Sequence, residues 1–276
     1  MPDQTKPIAP RAEKRPAEST HHGHTRVDDY AWLRDENWQR VMRDPAELSP
    51  DIRAYLEAEN AYTDAVMAET EDLRARLFDE MKGRIKEVDS SVPLPDGPWA
   101  YLFRYVAGGQ HPRVCRRQRD GGEEQLLLDG DAMAEGQPYF RFGGAGHSSD
   151  HRLLAYSTDI AGGEFYTLRI KDMETGALLD DIVPDTAGGG VWGTDNRTLY
   201  YVRRDDSNRP RWVYRHRVGT DAAEDEMIFE ESNPSYFVGV DRSESGRFLM
   251  ISSADHSSGE IRGMPTDGSA DPVLIA

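Results

Sequence analysis

The chain has 276 residues, 37% hydrophobic and 30% charged, with a formal net charge of −17, enough length and apolar content for a sizeable core. The acid excess excludes a protein that tracks phosphates through a basic surface, and no run approaches the roughly 18 apolar residues of a membrane span. The proline-rich start lacks the apolar core of a secretory signal, and Cys115 is the single cysteine, so no intrachain disulfide can form and a cytoplasmic compartment is expected.

Residues 1–20 carry scattered Pro, Lys and Glu without periodicity and are expected to form a flexible or surface-draped arm. Residues 21–88 are expected to be a helical extension. Ser49-Pro50-Asp51 reads as a helix start, with a hydroxyl acceptor, a proline at the first position and an acid at the positive dipole end. Ile52, Tyr55, Leu56, Tyr62 and Val66, then Leu73, Leu77, Met81 and Ile85 beside Phe78, recur at helical spacing. Two amphipathic helices that need a partner surface follow from that spacing, and Gly83 with the Ser90–Pro95 run marks their end.

Residues 89–276 read as short strands separated by turns, and the strands repeat. Asp150-His151-Arg152-Leu153-Leu154-Ala155-Tyr156-Ser157 aligns with Asp195–Val202 and with Ser245–Ser252, with a weaker copy at Asp96–Phe103. A second strand follows each copy: Pro112–Arg117, Phe165–Ile170, Trp212–His216 and Gly259–Arg262, each before a Gly-containing turn. Recurrence at the length of a propeller blade predicts four blades of a partial β-propeller. A β-sandwich would explain many strands but not a double motif in fixed order.

Few residues offer chemistry. Gly146-His147-Ser148-Ser149-Asp150 lacks the last glycine of a nucleophile elbow and precedes a strand, so it reads as a polar turn. His21, His22 and His24 have no partner at zinc-ligand spacing and are expected to pack around a turn, while the other histidines read as structural. The adjacent carboxylates Asp28-Asp29, Glu123-Glu124, Asp180-Asp181, Asp205-Asp206 and Glu230-Glu231 read as solvated loop charge, because adjacency does not set two carboxyls across a sugar. Gly143-Gly144-Ala145-Gly146 and Gly188–Gly190 lack the Lys-Ser/Thr of a phosphate loop and read as tight blade connections. Cys115 reads as a structural thiol. No catalytic residue, cofactor or metal site is assigned.

One segment carries a family resemblance. His22-Gly23-His24-Thr25-Arg26-Val27-Asp28-Asp29-Tyr30-Ala31-Trp32-Leu33-Arg34-Asp35 resembles the H-G-x-x-R-x-D-x-Y-x-W-L-R-D opening of the oligopeptidase B family, serine peptidases of the prolyl oligopeptidase group. Tyr55–Thr63, Met81–Glu87, Asp172–Gly176, Tyr214–Thr220 and Tyr236–Val240 follow in the family's order. The resemblance implies a helical extension packed on a C-terminal α/β-hydrolase domain, with a seven-bladed propeller between them that gates access for short peptides cleaved after Arg or Lys. The Ser, Asp and His of that family's triad belong to the hydrolase domain, and none maps onto residues 1–276. The chain then corresponds to the extension plus about four of seven blades and is expected to be inactive alone. Its expected partners are short cationic peptides and the hydrolase domain, with Tyr30, Trp32 and Leu33 as docking residues, and neither nucleic acid nor membrane. The open strand edge of such a piece predicts instability or self-association. Two alternatives are a standalone propeller that binds a peptide or protein, and a proline-specific oligopeptidase, whose opening segment usually ends W-L-E.

Overall fold

The computed structural model describes residues 7–276, which fall into two compact units divided between Lys86 and Glu87. The first six residues of the expected arm lie outside the described residues. No helix among those described is long and apolar enough to cross a membrane.

The first unit opens with a hairpin where an arm and then helix were expected. Strand β1 (Ala17–His21) pairs antiparallel with β2 (His24–Asp28). The turn between them is His22-Gly23, both with positive φ (52° and 79°), the backbone of a two-residue hairpin loop whose twist matches that of the strands. The preceding segment is tied down as well: the Arg15 N–H donates to the Asp29 carbonyl at 2.8 Å, and Arg15 pairs with Asp51 at 2.8 Å.

Three helices follow: α1 (Trp38–Arg43), α2 (Pro50–Met67) and α3 (Glu71–Gly83). Helix α2 starts at the predicted proline, but Ser49 makes no side-chain cap. Instead the Ser49 N–H donates to the Asp35 carboxylate at 2.7 Å, so the carboxylate from the preceding loop holds the backbone there. Among the described residues of this unit Ile52 is the one buried apolar side chain, while Leu73, Leu77, Phe78 and Met81 of α3 are exposed.

The second unit is mostly β and propeller-like, with four antiparallel blades. The first contains β3 (Asp89–Ser90) and β4 (Leu94–Asp96), both paired with β5 (Trp99–Tyr105), then β6 (Arg113–Gln118) and β7 (Gln125–Asp129). A short helix, α4 (Gly130–Ala134), leads to the second blade: β8 (Arg141–His147), β9 (Leu153–Asp159), β10 (Tyr166–Asp172) and β11 (Leu178–Thr186). The third has β12 (Val191–Trp192), β13 (Thr198–Arg204), β14 (Pro210–Arg217) and β15 (Glu226–Glu230), and the fourth β16 (Phe237–Arg242), β17 (Phe248–Ala254), β18 (Gly259–Pro265) and β19 (Val273–Leu274). One register pair, Thr186 with Arg203, joins the second blade to the third. Every strand pair described is antiparallel, so the parallel sheet of an α/β-hydrolase is not among the described residues.

The repeated motif is the turn from the first to the second strand of a blade. Ser148, Gly193 and Ser243 each donate their N–H to the carbonyl five residues on, at 2.9, 2.8 and 2.9 Å. The residue three after each has positive φ: His151 (59°), Asn196 (56°) and Gly246 (71°). The next residue is the recurring arginine, whose N–H donates to Asp150 (3.2 Å), Asp195 (3.0 Å) or Ser245 (3.4 Å). Its carbonyl accepts from the residue after the third strand, Met173, Val218 or Thr266, at 2.8, 2.8 and 2.9 Å. The arginine thus recurs at a fixed backbone site.

Strand alternation then builds one core per blade seam. On β13, Leu199 and Tyr201 face the second blade with Ala155, Leu168, Ile170, Val183 and Trp192, while Tyr200 and Val202 face the fourth with Leu249, Ile251 and Met264. Leu154 and Tyr156 of β9 turn the other way, onto Val114 and Leu128 of the first blade. The Gly143–Gly146 run, read from sequence as a connection, is part of strand β8. A Cβ on Gly143 would stand 2.5 Å from the Tyr166 ring and 2.8 Å from the Gly188 backbone, so the glycines permit close backbone approach.

Each seam also carries a buried polar tie. Arg116 donates to the His151 carbonyl at 2.7 Å across the first seam, and Tyr200 donates to the Thr266 carbonyl at 3.1 Å across the third. At the second seam His216, fully buried, lies 2.9 Å from Asp181 and 2.7 Å from Asp225. Tyr201 donates to Asp225 at 2.7 Å and the Gly219 N–H to Asp181 at 2.6 Å. Two adjacent-carboxylate pairs therefore depart from the solvated reading. Asp181 and Glu231 are buried: Asp181 turns inward on β11 where Asp180 faces out, as strand neighbours do, and Glu231, just past β15, accepts from the Ser253 hydroxyl and the Asn233 N–H.

Candidate functional site

The first strands of the four blades line an open cavity of about 680 Å³. Each first strand contributes its last residue. That residue is Asp96 in β4, His147 in β8, Trp192 in β12 and Arg242 in β16, and all four line the cavity.

The His147 ring is held on three sides. It stacks on Tyr101, with centroids 3.9 Å apart and planes 11° from parallel. Its Nδ1 lies 3.0 Å from the Ser148 carbonyl, which can only accept, so in the neutral imidazole the proton sits on Nδ1. Its Nε2 lies 3.5 Å from Asp96 Oδ2. Burial lowers the His147 pKa from the usual value, and the charges of His151 and Arg242 act in the same direction, against the Ser148 carbonyl and Asp96. The ring is therefore neutral near neutral pH.

The surrounding groups fix that arrangement. Tyr101 Oη lies within hydrogen-bond distance of His151 Nδ1, at 2.9 Å, and burial raises the phenol pKa. A Cβ on Gly97 would fall 2.5 Å from His151 Nε2, which leaves only glycine at that turn. Trp192 Nε1 donates to the Gly146 carbonyl at 2.8 Å and anchors the end of β8. Arg242 reaches Ser149 Oγ at 3.4 Å and forms no ion pair with Asp96 among the described contacts.

The residues singled out from sequence lie elsewhere. Ser148 is fully buried; its hydroxyl donates to Asp150 at 2.5 Å and accepts from the Leu153 N–H at 2.9 Å, which is turn chemistry and not an exposed nucleophile. His147 meets the carbonyl of Ser148, not its hydroxyl. His21, His22 and His24 are exposed on the β1–β2 hairpin, and among the described residues no group of three or more His, Cys, Asp and Glu residues could hold a metal ion. Cys115 is buried, and burial raises its thiol pKa. In the first unit Trp32 donates to the Glu13 carbonyl at 2.9 Å, lies under Arg15 and meets the edge of Tyr55; Leu33 is half-buried and Tyr30 exposed. The cavity residues were missed because the ends of the first strands carry four different amino acids.

Comparison with known proteins fits this architecture. The family described as "Prolyl oligopeptidase, N-terminal beta-propeller domain" matches residues 9–274. A dipeptidyl aminopeptidase BI from Pseudoxanthomonas mexicana is 38% identical over 88% of this chain and 35% of its own length. Protease 2 from Moraxella lacunata is 30% identical over 96% of this chain and 38% of its own. Among solved structures, oligopeptidase B from Leishmania major superposes with a TM-score of 0.88 at 26% identity, covering 98% of this chain and 40% of that one. The chain thus spans little more than a third of the curated relatives it matches.

Proposed function

Because the chain belongs to the family of N-terminal β-propeller domains of prolyl oligopeptidases, we propose that it is the propeller part of an oligopeptidase B-like serine endopeptidase that cleaves short peptides after Arg or Lys. In this reading the propeller gates peptide access and supplies no catalytic group. The supporting observation is the likeness to oligopeptidase B over nearly the whole chain, together with a cavity lined by the first strand of every blade. Tyr30, Trp32, Leu33 and the exposed apolar face of α3 would dock on a hydrolase domain. The cytoplasm is the proposed compartment, consistent with a single buried, unpaired Cys115.

The test has two parts. The gene beyond the codon for Ala276 should encode further blades and a G-x-S-x-G segment, and that longer product should release a fluorophore from Arg- and Lys-terminated peptides faster than from proline-terminated ones. The 276-residue chain alone should show no turnover. Turnover by this chain that a serine-directed inhibitor abolishes would overturn the non-catalytic assignment, and a stop codon after Ala276 would favour a standalone peptide-binding propeller. The identity to a dipeptidyl aminopeptidase supports a second reading, an exopeptidase; preference for peptides with a free over a blocked N-terminus would select it.

A further inference from the structure

His147 and Asp96 leave two acceptors facing each other. In the neutral ring Nδ1 holds the proton against the Ser148 carbonyl, so the Nε2 lone pair points toward a carboxylate oxygen 3.5 Å away. Nothing between these two atoms can donate. A flip of the ring within its stack on Tyr101 would take Nδ1 away from the Ser148 carbonyl, so the bond holds this orientation. A single nitrogen donor about 2.9 Å from both acceptors would sit about 2.3 Å off the line joining them, on the side of Asp96, whose side chain is 51% exposed.

We propose that His147 Nε2 and the Asp96 carboxylate form a receptor for a cationic N–H group, the ammonium or guanidinium of a peptide, and that a proton and this ligand compete for it. The site rests on the reading of the cavity as part of a peptide route, but not on any cleavage. Two features favour a cation over a neutral amide. Asp96 contributes a full negative charge and makes no other ion pair among the described contacts, and a charge-assisted bond is about twice as strong as a neutral one. Arg242, the built-in cation at the end of the fourth blade's first strand, is turned to Ser149.

The groups facing His147 are Asp96 before β5, Tyr101 on β5, His151 in the β8–β9 turn and Arg242 at the end of β16. When the ring takes a second proton, Nε2 becomes a donor and can bond Asp96 directly. The acceptor pair is then satisfied internally and the cation site is lost. Cationic ligand and proton are therefore mutually exclusive, and acidification expels the ligand.

The experiment uses the 276-residue chain with Nα-acetyl-L-argininamide (argininamide below) as probe and Nα-acetyl-L-citrullinamide (citrullinamide below), its uncharged isostere, as control, the acetyl group removing the α-ammonium from both. Imidazole resonances of His147 are followed by NMR and affinity by calorimetry. Argininamide is expected to shift the His147 ring signals at millimolar concentration, and citrullinamide is not. The apparent Kd should rise about tenfold for each pH unit below the His147 titration midpoint, as one-proton competition requires. Asp96→Asn should weaken binding at least tenfold. His147→Phe, which preserves the ring stack on Tyr101, should remove the pH dependence between 5 and 7.5. Unchanged His147 signals with argininamide, equal shifts with citrullinamide, or tighter binding at lower pH would each overturn the assignment. A loss of this binding would leave the peptidase reading standing, since that is tested by cleavage in the longer gene product.

Discussion

Replacing His216 with alanine removes the tie between the second and third blades. In the folded chain both ring nitrogens face carboxylates, Nε2 to Asp181 at 2.9 Å and Nδ1 to Asp225 at 2.7 Å, with no solvent contact for the ring. Two acceptors on opposite sides call for two donors, so the imidazolium is the matching form and the pKa is raised, the hydrogen bonds from Asp225 and Asp181 outweighing the opposing and largest single influence of burial. Alanine strips one charge-assisted bond from each carboxylate, about 1.5–3 kcal/mol apiece, and strands buried negative charge. Tyr201 and the Gly219 N–H still donate to the two acids, which holds the expected cost to about 3–5 kcal/mol. For a unit of this size that lowers Tm by about 6–20 °C. A raised folded pKa contributes its full stability below the unfolded value, about 6.5, and loses it as pH rises through the folded value. Urea titrations of the wild type and His216→Ala at pH 6 and pH 9 should therefore give a larger gap at pH 6. A gap under about 1 kcal/mol at pH 6, or one that widens with pH, would refute the imidazolium bridge.

Gly143→Ala should cost about 1–3 kcal/mol by overpacking, because the new methyl would lie 2.5 Å from both Ser157 Oγ and the Tyr166 ring; thermal melts read this directly. Ser49→Ala should change stability by less than about 0.5 kcal/mol, since that hydroxyl caps nothing. Asp35→Ala should lose about 1 kcal/mol, since its carboxylate accepts from the Ser49 and Asn37 N–H groups; the order reverses if Ser49 is the cap. The fourth blade exposes Phe237, Phe248 and Ile261 on the face opposite its core, so the chain should sediment above its monomer mass, and Phe248→Lys should shift it toward monomer.

Legibility followed the physics of each element. The two middle strands of the second and third blades were readable because both of their faces are packed, which forces apolar runs such as Leu199-Tyr200-Tyr201-Val202, and those of the fourth because the same turn geometry precedes them. The first strands were not. Strand β12 is two residues long and β4 three, while β8 is half glycine because backbone approach, not side-chain burial, determines its composition. The hairpin Ala17–Asp28 carries no apolar alternation, since every residue in its strands and turn is exposed. The signal that could have found it is the His22-Gly23 pair, the start of the family-like segment, which stands there because both positions need positive φ.

The cavity shows why a repeat can reveal a fold and still conceal a site. Its turn geometry constrains the residues whose backbone closes the loop: the acid or serine that accepts, the residue with positive φ, the arginine whose carbonyl is bonded. The last residue of a first strand carries no such duty, and local packing sets its side chain: His147 stacks on Tyr101, Trp192 is buried in a seam and Asp96 is half exposed. Asp96, His147, Trp192 and Arg242 share no chemistry that an internal alignment could detect. A negative, a titratable, an aromatic and a positive group meet around one cavity. Constraint by the fold makes positions similar, whereas recognition requires neighbouring blades to differ. The proposed cation site falls at such strand ends, where the four copies differ in chemistry.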